Sequence, residues 1–176
     1  MKNTMSNKNR SQRGMAMMET MVSLFLLAVG LLGTLAMQVK GVNSNQRAQF
    51  ATEANILAED MANRILGYVR NLDATTLRNT AILGDFNGID TSSSSAADPG
   101  CLATGCNAAQ QRQYDEWQWG SYIKSRLPSG IGQVDYSSGV YEITVMWNHD
   151  QIENPTSNCS GGGSDLACFV YQLKLE

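Results

Sequence analysis

The sequence predicts an α+β chain. A long N-terminal α-helix, its first half suited to a membrane and its second half amphipathic, packs on a C-terminal antiparallel β-sheet, with a short extra helix and disulfide-clipped loops. Three observations carry this reading. Met21 to Met37 is an almost unbroken apolar run. From Gln46 to Leu72 apolar residues recur every three or four positions, the spacing of one buried helical face. In Val140 to Trp147 the residues Tyr141, Ile143 and Val145 alternate with Glu142 and Thr144, the period of a half-buried strand. A helix followed by strands reads as an α+β layout in which the sheet covers the helix's apolar face.

The helix is preceded by a short polar leader, residues 1–14, with Lys2, Lys8, Arg10 and Arg13 and no acid. From Met15 to Val39 the chain is apolar apart from Glu19, Thr20, Ser23, Thr34 and Gln38. The run from Thr20 to Val39 has the length of about 20 residues that a helix needs to span a bilayer. Cations precede it and only Lys40 follows directly, so the positive-inside rule keeps the N-terminus in the cytoplasm and sends the rest outward. Glu19 is the anomaly. A charged side chain in a membrane helix costs roughly 2.5–3.5 kcal/mol on insertion scales, so such residues are rare and functional by default. A secretory signal peptide would have a shorter apolar core and a small-x-small cleavage site. A plain signal anchor leaves the Gly14–Glu19 arrangement unexplained, and no cysteine ends the run as a lipoprotein would require.

The helix is expected to continue past Gly41, Asn43, Ser44 and Asn45, a weak spot without proline. Phe50, Ala54, Leu57, Met61, Ile65, Tyr68 and Leu72 form its apolar stripe, opposite Glu53, Glu59, Asp60, Asn63 and Arg64. One helix from Met15 to about Tyr68 would be roughly 80 Å long. A coiled coil is the rival for the second stretch, which is short for one.

Asn79 to Cys106, with Gly84, Gly88, Ser92 to Ser95 and Pro99-Gly100, reads as an irregular section. Asp85 to Asp90 has a passing likeness to a calcium loop, but its glycine is misplaced and position 96 is alanine where the closing acid belongs. A turn with solvated acids is expected. Asn107 is placed to cap a helix running to about Leu127, before Pro128-Ser129-Gly130. Trp119, Tyr122, Ile123 and Leu127 give it an apolar edge, with Tyr114 and Trp117 nearby; such a stripe reads as core. Gly132 to Tyr136, the turn Ser137-Ser138-Gly139 and Val140 to Trp147 then read as a hairpin with one wet face. After a loop from Asn148 to Asp165, Cys168 to Leu175 reads as the last strand.

The chain of 176 residues carries a net charge of −3. Without the four leader cations, 9 Lys and Arg remain against 16 Asp and Glu, a net −7. This argues against a nucleic-acid partner, which needs a basic patch. Cys101, Cys106, Cys159 and Cys168 all lie outside the apolar run. An even count in an exported chain favours disulfides. Two local rings, Cys101–Cys106 and Cys159–Cys168, are the simplest of the three possible pairings, between which the sequence does not choose. Zinc is disfavoured, since the C-x2-C spacing is missing and His149 is the sole histidine. His149, beside Asp150, reads as a solvated loop residue. No nucleophile motif and no phosphate-cradling loop occurs, Gly161-Gly162-Gly163 being followed by neither helix nor lysine. No enzymatic activity, metal or cofactor is expected.

Arg13-Gly14-Met15-Ala16-Met17-Met18-Glu19 with the apolar run behind it closely resembles the class III signal of type IV pilins and type II secretion pseudopilins. The resemblance implies a pilin-like fold, cutting after Gly14 by a prepilin peptidase, N-methylation of Met15, and a role for Glu19 in assembly. The family usually places Phe after the cut, where this chain has Met15. Residues 1–14 would then be a removed leader, 15–40 the transmembrane and assembly half of the helix, and 41–176 a periplasmic globular domain. A free amine at Met15 is a cation one helical turn from Glu19, so Glu19 is suited to neutralise the amine of a neighbouring subunit. Within the family the chain looks most like the PilV-type minor pilins. This rests on Ala28 to Gly33 in the apolar run, the Cys101 and Cys106 pair, the Trp-bearing helix ending Leu127-Pro128-Ser129-Gly130, and Tyr141 to Trp147.

That likeness implies a low-abundance subunit that helps to prime a type IV pilus and sits at or near its tip. It would reside in the inner membrane before assembly and meet other minor pilins and the major pilin through the N-terminal helix. A minor pseudopilin of a type II secretion machine and a tip adhesin using its Ser- and Gly-rich loops are the alternatives.

Overall fold

The computed structural model describes residues 11–70, 84–93, 96–157, 159 and 164–175. The leader residues Lys2, Lys8 and Arg10, the end of the apolar stripe at Leu72, the start of the irregular section at Asn79, and Gly161 to Gly163 lie outside them. The chain divides into two compact units, Met1–Gln46 and Arg47–Glu176.

Helix α1 spans Ser11–Arg70. It has no proline, and Ala, Leu and Met, which lose little side-chain entropy in a helix, fill much of it. Gly41 and Asn43 to Asn45 do not interrupt it. In the first unit, every described side chain from Met17 to Gln46 is exposed.

In the second unit the remainder of α1 presents Ala54, Leu57, Ala58, Met61, Ala62 and Ile65 to the core, all at most 3% exposed. Phe50 and Tyr68 pack at the two ends of this stripe. Burying a side chain such as Leu57 or Ile65 contributes about 1.5–3 kcal/mol. The surface they cover is a four-stranded, wholly antiparallel sheet in the order β1-β2-β3-β4, with β1 at Ile89–Asp90, β2 at Ile131–Ser137, β3 at Val140–Trp147 and β4 at Ala167–Lys174. Val134 from β2, Tyr141, Ile143, Val145 and Trp147 from β3, and Ile89 from β1 close the core beneath the helix.

The β2–β3 hairpin turns on two residues, Ser138 (φ 53°) and Gly139 (φ 84°). Both are left-handed, as a two-residue turn matching the twist of the strands requires. Between β1 and β2 lie α2, the single turn Cys101–Thr104, and α3, Ala108–Arg126. Asn107 closes a capping box on α3: its side chain accepts from Gln110 N at 2.9 Å, and the Gln110 side chain accepts from Asn107 N at 3.1 Å. Leu127 leaves the helix in extended conformation, as a residue before proline favours.

Helix α3 lays Trp119, Ile123 and Leu127 into the core. Trp119 Nε1 donates to the Leu57 carbonyl of α1 at 2.8 Å, and the tip of its ring lies over Gly132 of β2. A Cβ at Gly132 would come within 2.4 Å of the ring and 2.5 Å of Ile123, so glycine is what lets α3 and β2 approach.

Three expectations need correction. The section from Asn79 to Cys106 is not wholly irregular: Ile89 and Asp90 pair with Val134 and Gln133, and Gly88 N and Thr91 N extend the ladder by donating to Val134 and Gly132 carbonyls. The acids there are not free in solvent, since Asp85 accepts from the Tyr68 hydroxyl at 2.6 Å and Asp90 from Ser92 and Gln133. And the outer sheet face is wet only toward the turn: Glu142 is exposed, but Thr144 and Met146 are buried, Met146 completely. Met146 pairs with Cys168 across β3 and β4, so both side chains share the outer face. The Cys159–Cys168 disulfide draws the loop after β3 toward that end.

Candidate functional site

The apolar first stretch of α1 and its single carboxylate, Glu19, are the candidate site. Fifteen large apolar side chains between Met17 and Val42 are 51–79% exposed. Monomeric soluble proteins rarely present contiguous apolar surface beyond a few hundred Å², so this segment calls for a lipid or protein environment. It is long and apolar enough to cross a membrane. Two of its hydroxyls turn inward on the helix: Thr20 Oγ1 donates to the Met17 carbonyl at 2.9 Å and Thr34 Oγ1 to the Leu31 carbonyl at 2.8 Å. That satisfies groups which would otherwise be costly in hydrocarbon.

Glu19 is exposed, among the apolar residues and one turn beyond Met15. Gly14 and Met15 lie inside the range of α1; their side-chain surroundings lie outside the described residues. In one turn of helix the chain thus sets a carboxylate close to the position that would become a terminal amine after a cut at Gly14.

Of the three pairings the sequence left open, the structure has the two local rings. Cys101–Cys106 joins α2 to the residue before the α3 cap, and Cys159–Cys168 joins the loop after β3 to β4. His149 is less solvated than expected: its side chain is 22% exposed, with Nε2 2.9 Å from an Asp150 oxygen. The other Asp150 oxygen meets Arg47 of α1 at 2.5 Å. Of the stripe on α3, Trp119, Ile123 and Leu127 enter the core as expected, and Tyr122 does not. Tyr114 and Trp117 pack on each other at 5.6 Å between centroids, and Tyr122 stays exposed with the Arg126 guanidinium 5.3 Å from its ring centroid. Among the described residues no three His, Cys, Asp or Glu side chains are grouped to hold a metal ion.

One polar cluster was not anticipated. The Arg64 guanidinium is bound on three sides, by Asp60 at 2.9 Å, Asp115 at 3.0 Å and Gln118 at 2.7 Å. It ties α1 to α3, and Gln111 donates to the same Asp115 oxygen. Burial pushes the Asp115 carboxyl above the ordinary carboxylate range, against the pull of Arg64 and Gln111. The i, i+4 spacing of Asp60 and Arg64 was visible in sequence; the α3 partners Asp115 and Gln118 were not. Elsewhere, the bond to Asp85 and burial raise Tyr68 to about 12, and burial raises Tyr141 to about 12. Burial also opposes the Asp90 carboxylate, but bonds from Ser92 and Gln133 together outweigh it and hold Asp90 below the ordinary value. Trp147 Nε1 is the one buried side-chain donor without an acceptor among the described residues.

No protein-family model, curated protein or solved structure matches this chain.

Proposed function

We propose that this chain is a minor pilin that takes part in priming a type IV pilus and sits at or near its tip, a structural part rather than an enzyme. Prepilin peptidase cuts after Gly14 at the inner membrane, Met15 carries the methylated amine, and Glu19 answers the amine of a neighbouring subunit. The carrying observation is the junction itself: Gly14, Met15 and Glu19 stand in α1 immediately before its Met21 to Met37 apolar run, whose large side chains stay exposed. The disulfide-fastened α+β unit supports the reading, since an exported domain with two disulfides suits a periplasmic and then extracellular life.

Glu19 sets the subunit's register in this account. Breaking one partner of an ion pair in a low-dielectric environment costs about 3–5 kcal/mol, enough to exclude a subunit whose amine finds no carboxylate. Deleting the gene and counting surface pili while scoring twitching motility is the decisive experiment. Loss or sharp reduction of pili is expected, and normal piliation would overturn the priming role. Intact pili with a lost secreted protein would point to a secretion pseudopilin, and intact pili with lost attachment to an adhesin. In the native strain, Glu19→Ala should be cut after Gly14 yet fail to enter fibres alongside wild-type subunits. Normal incorporation removes Glu19 from the account.

A further inference from the structure

We draw no further inference here: the strongest candidate, the exposed Ile56 and Tyr122 side chains on the surface between the Glu53–Arg126 and Arg64–Asp115 ties of α1 to α3, carries nothing because nothing in the structure shows what covers it.

Discussion

Helix α1 contains two stretches rich in apolar residues and of opposite fate. Between Met17 and Val42 its large side chains are exposed; between Ala54 and Ile65 six apolar residues are at most 3% exposed. Helix propensity does not separate them, since both are helical throughout. Patterning does. The second stretch keeps its apolar residues on one stripe with Glu59, Asp60, Asn63 and Arg64 elsewhere, so one sheet and one helix can cover it. The first is apolar on every side, which no single surface of this chain could bury. A helix of that kind finds its solvent outside its own fold.

The contrast can be broken from either side. The largest effect is expected for Trp119→Ala, which empties the centre of the buried stretch's packing and removes the bond to the Leu57 carbonyl. About 3–5 kcal/mol of stability should be lost, read by chemical denaturation of the full chain in detergent, with membrane association unchanged. Leu27→Asp tests the opposite side. Placing an acid mid-span should weaken membrane insertion by about 3 kcal/mol, seen as a shift from the membrane to the soluble fraction, while denaturation of the disulfide-bonded unit stays as in the wild type. If Leu27→Asp instead destabilised that unit, the two stretches would not be independent.

Gly132→Ala asks how closely the covering surface fits the helix. Its added methyl meets the Trp119 ring and Ile123, and overpacking of this kind costs about 1–3 kcal/mol; an unchanged denaturation midpoint would mean the ring moves freely. The smallest effects belong to pH. Asp90 sits below its ordinary 3.8, so its stabilising contribution is complete above that value and is lost as pH falls through the folded value. Asp115 lies above 3.8, so the folded state holds its proton more tightly, and stability declines as pH rises from 3.8 through the folded value. Asp90→Asn and Asp115→Asn should remove these opposite slopes from the stability profile.

The sequence made the periodic parts legible because their causes are local. The α1 stripe, the Asn107 cap and the β2–β3 hairpin each follow from residues within a few positions of one another. The departures depend on distant partners. Strand β1 is two residues long and exists through the register of β2, some forty positions away. Met146 is hidden on a face its own strand marks as wet, at the end where Cys168 anchors a loop. The Arg64 cluster required α3 to arrive with Asp115 and Gln118 aligned. At the candidate site the identity of Glu19 was legible from its setting, whereas its proposed partner would belong to another subunit, which no single chain displays.

The fastening of α1 to the rest of its unit also has a mechanical consequence. Glu53–Arg126, the Trp119–Leu57 bond and the Arg64 cluster engage the helix at residues 53, 57 and 64, spread over about 16 Å of its axis. A force pulling along that axis loads these ties side by side, in shear, together with the apolar stripe between them. They share that load at once instead of meeting it one after another as in a peeling zip. The unit is therefore built to resist tension along α1 better than a lever that lifts one end of the helix away.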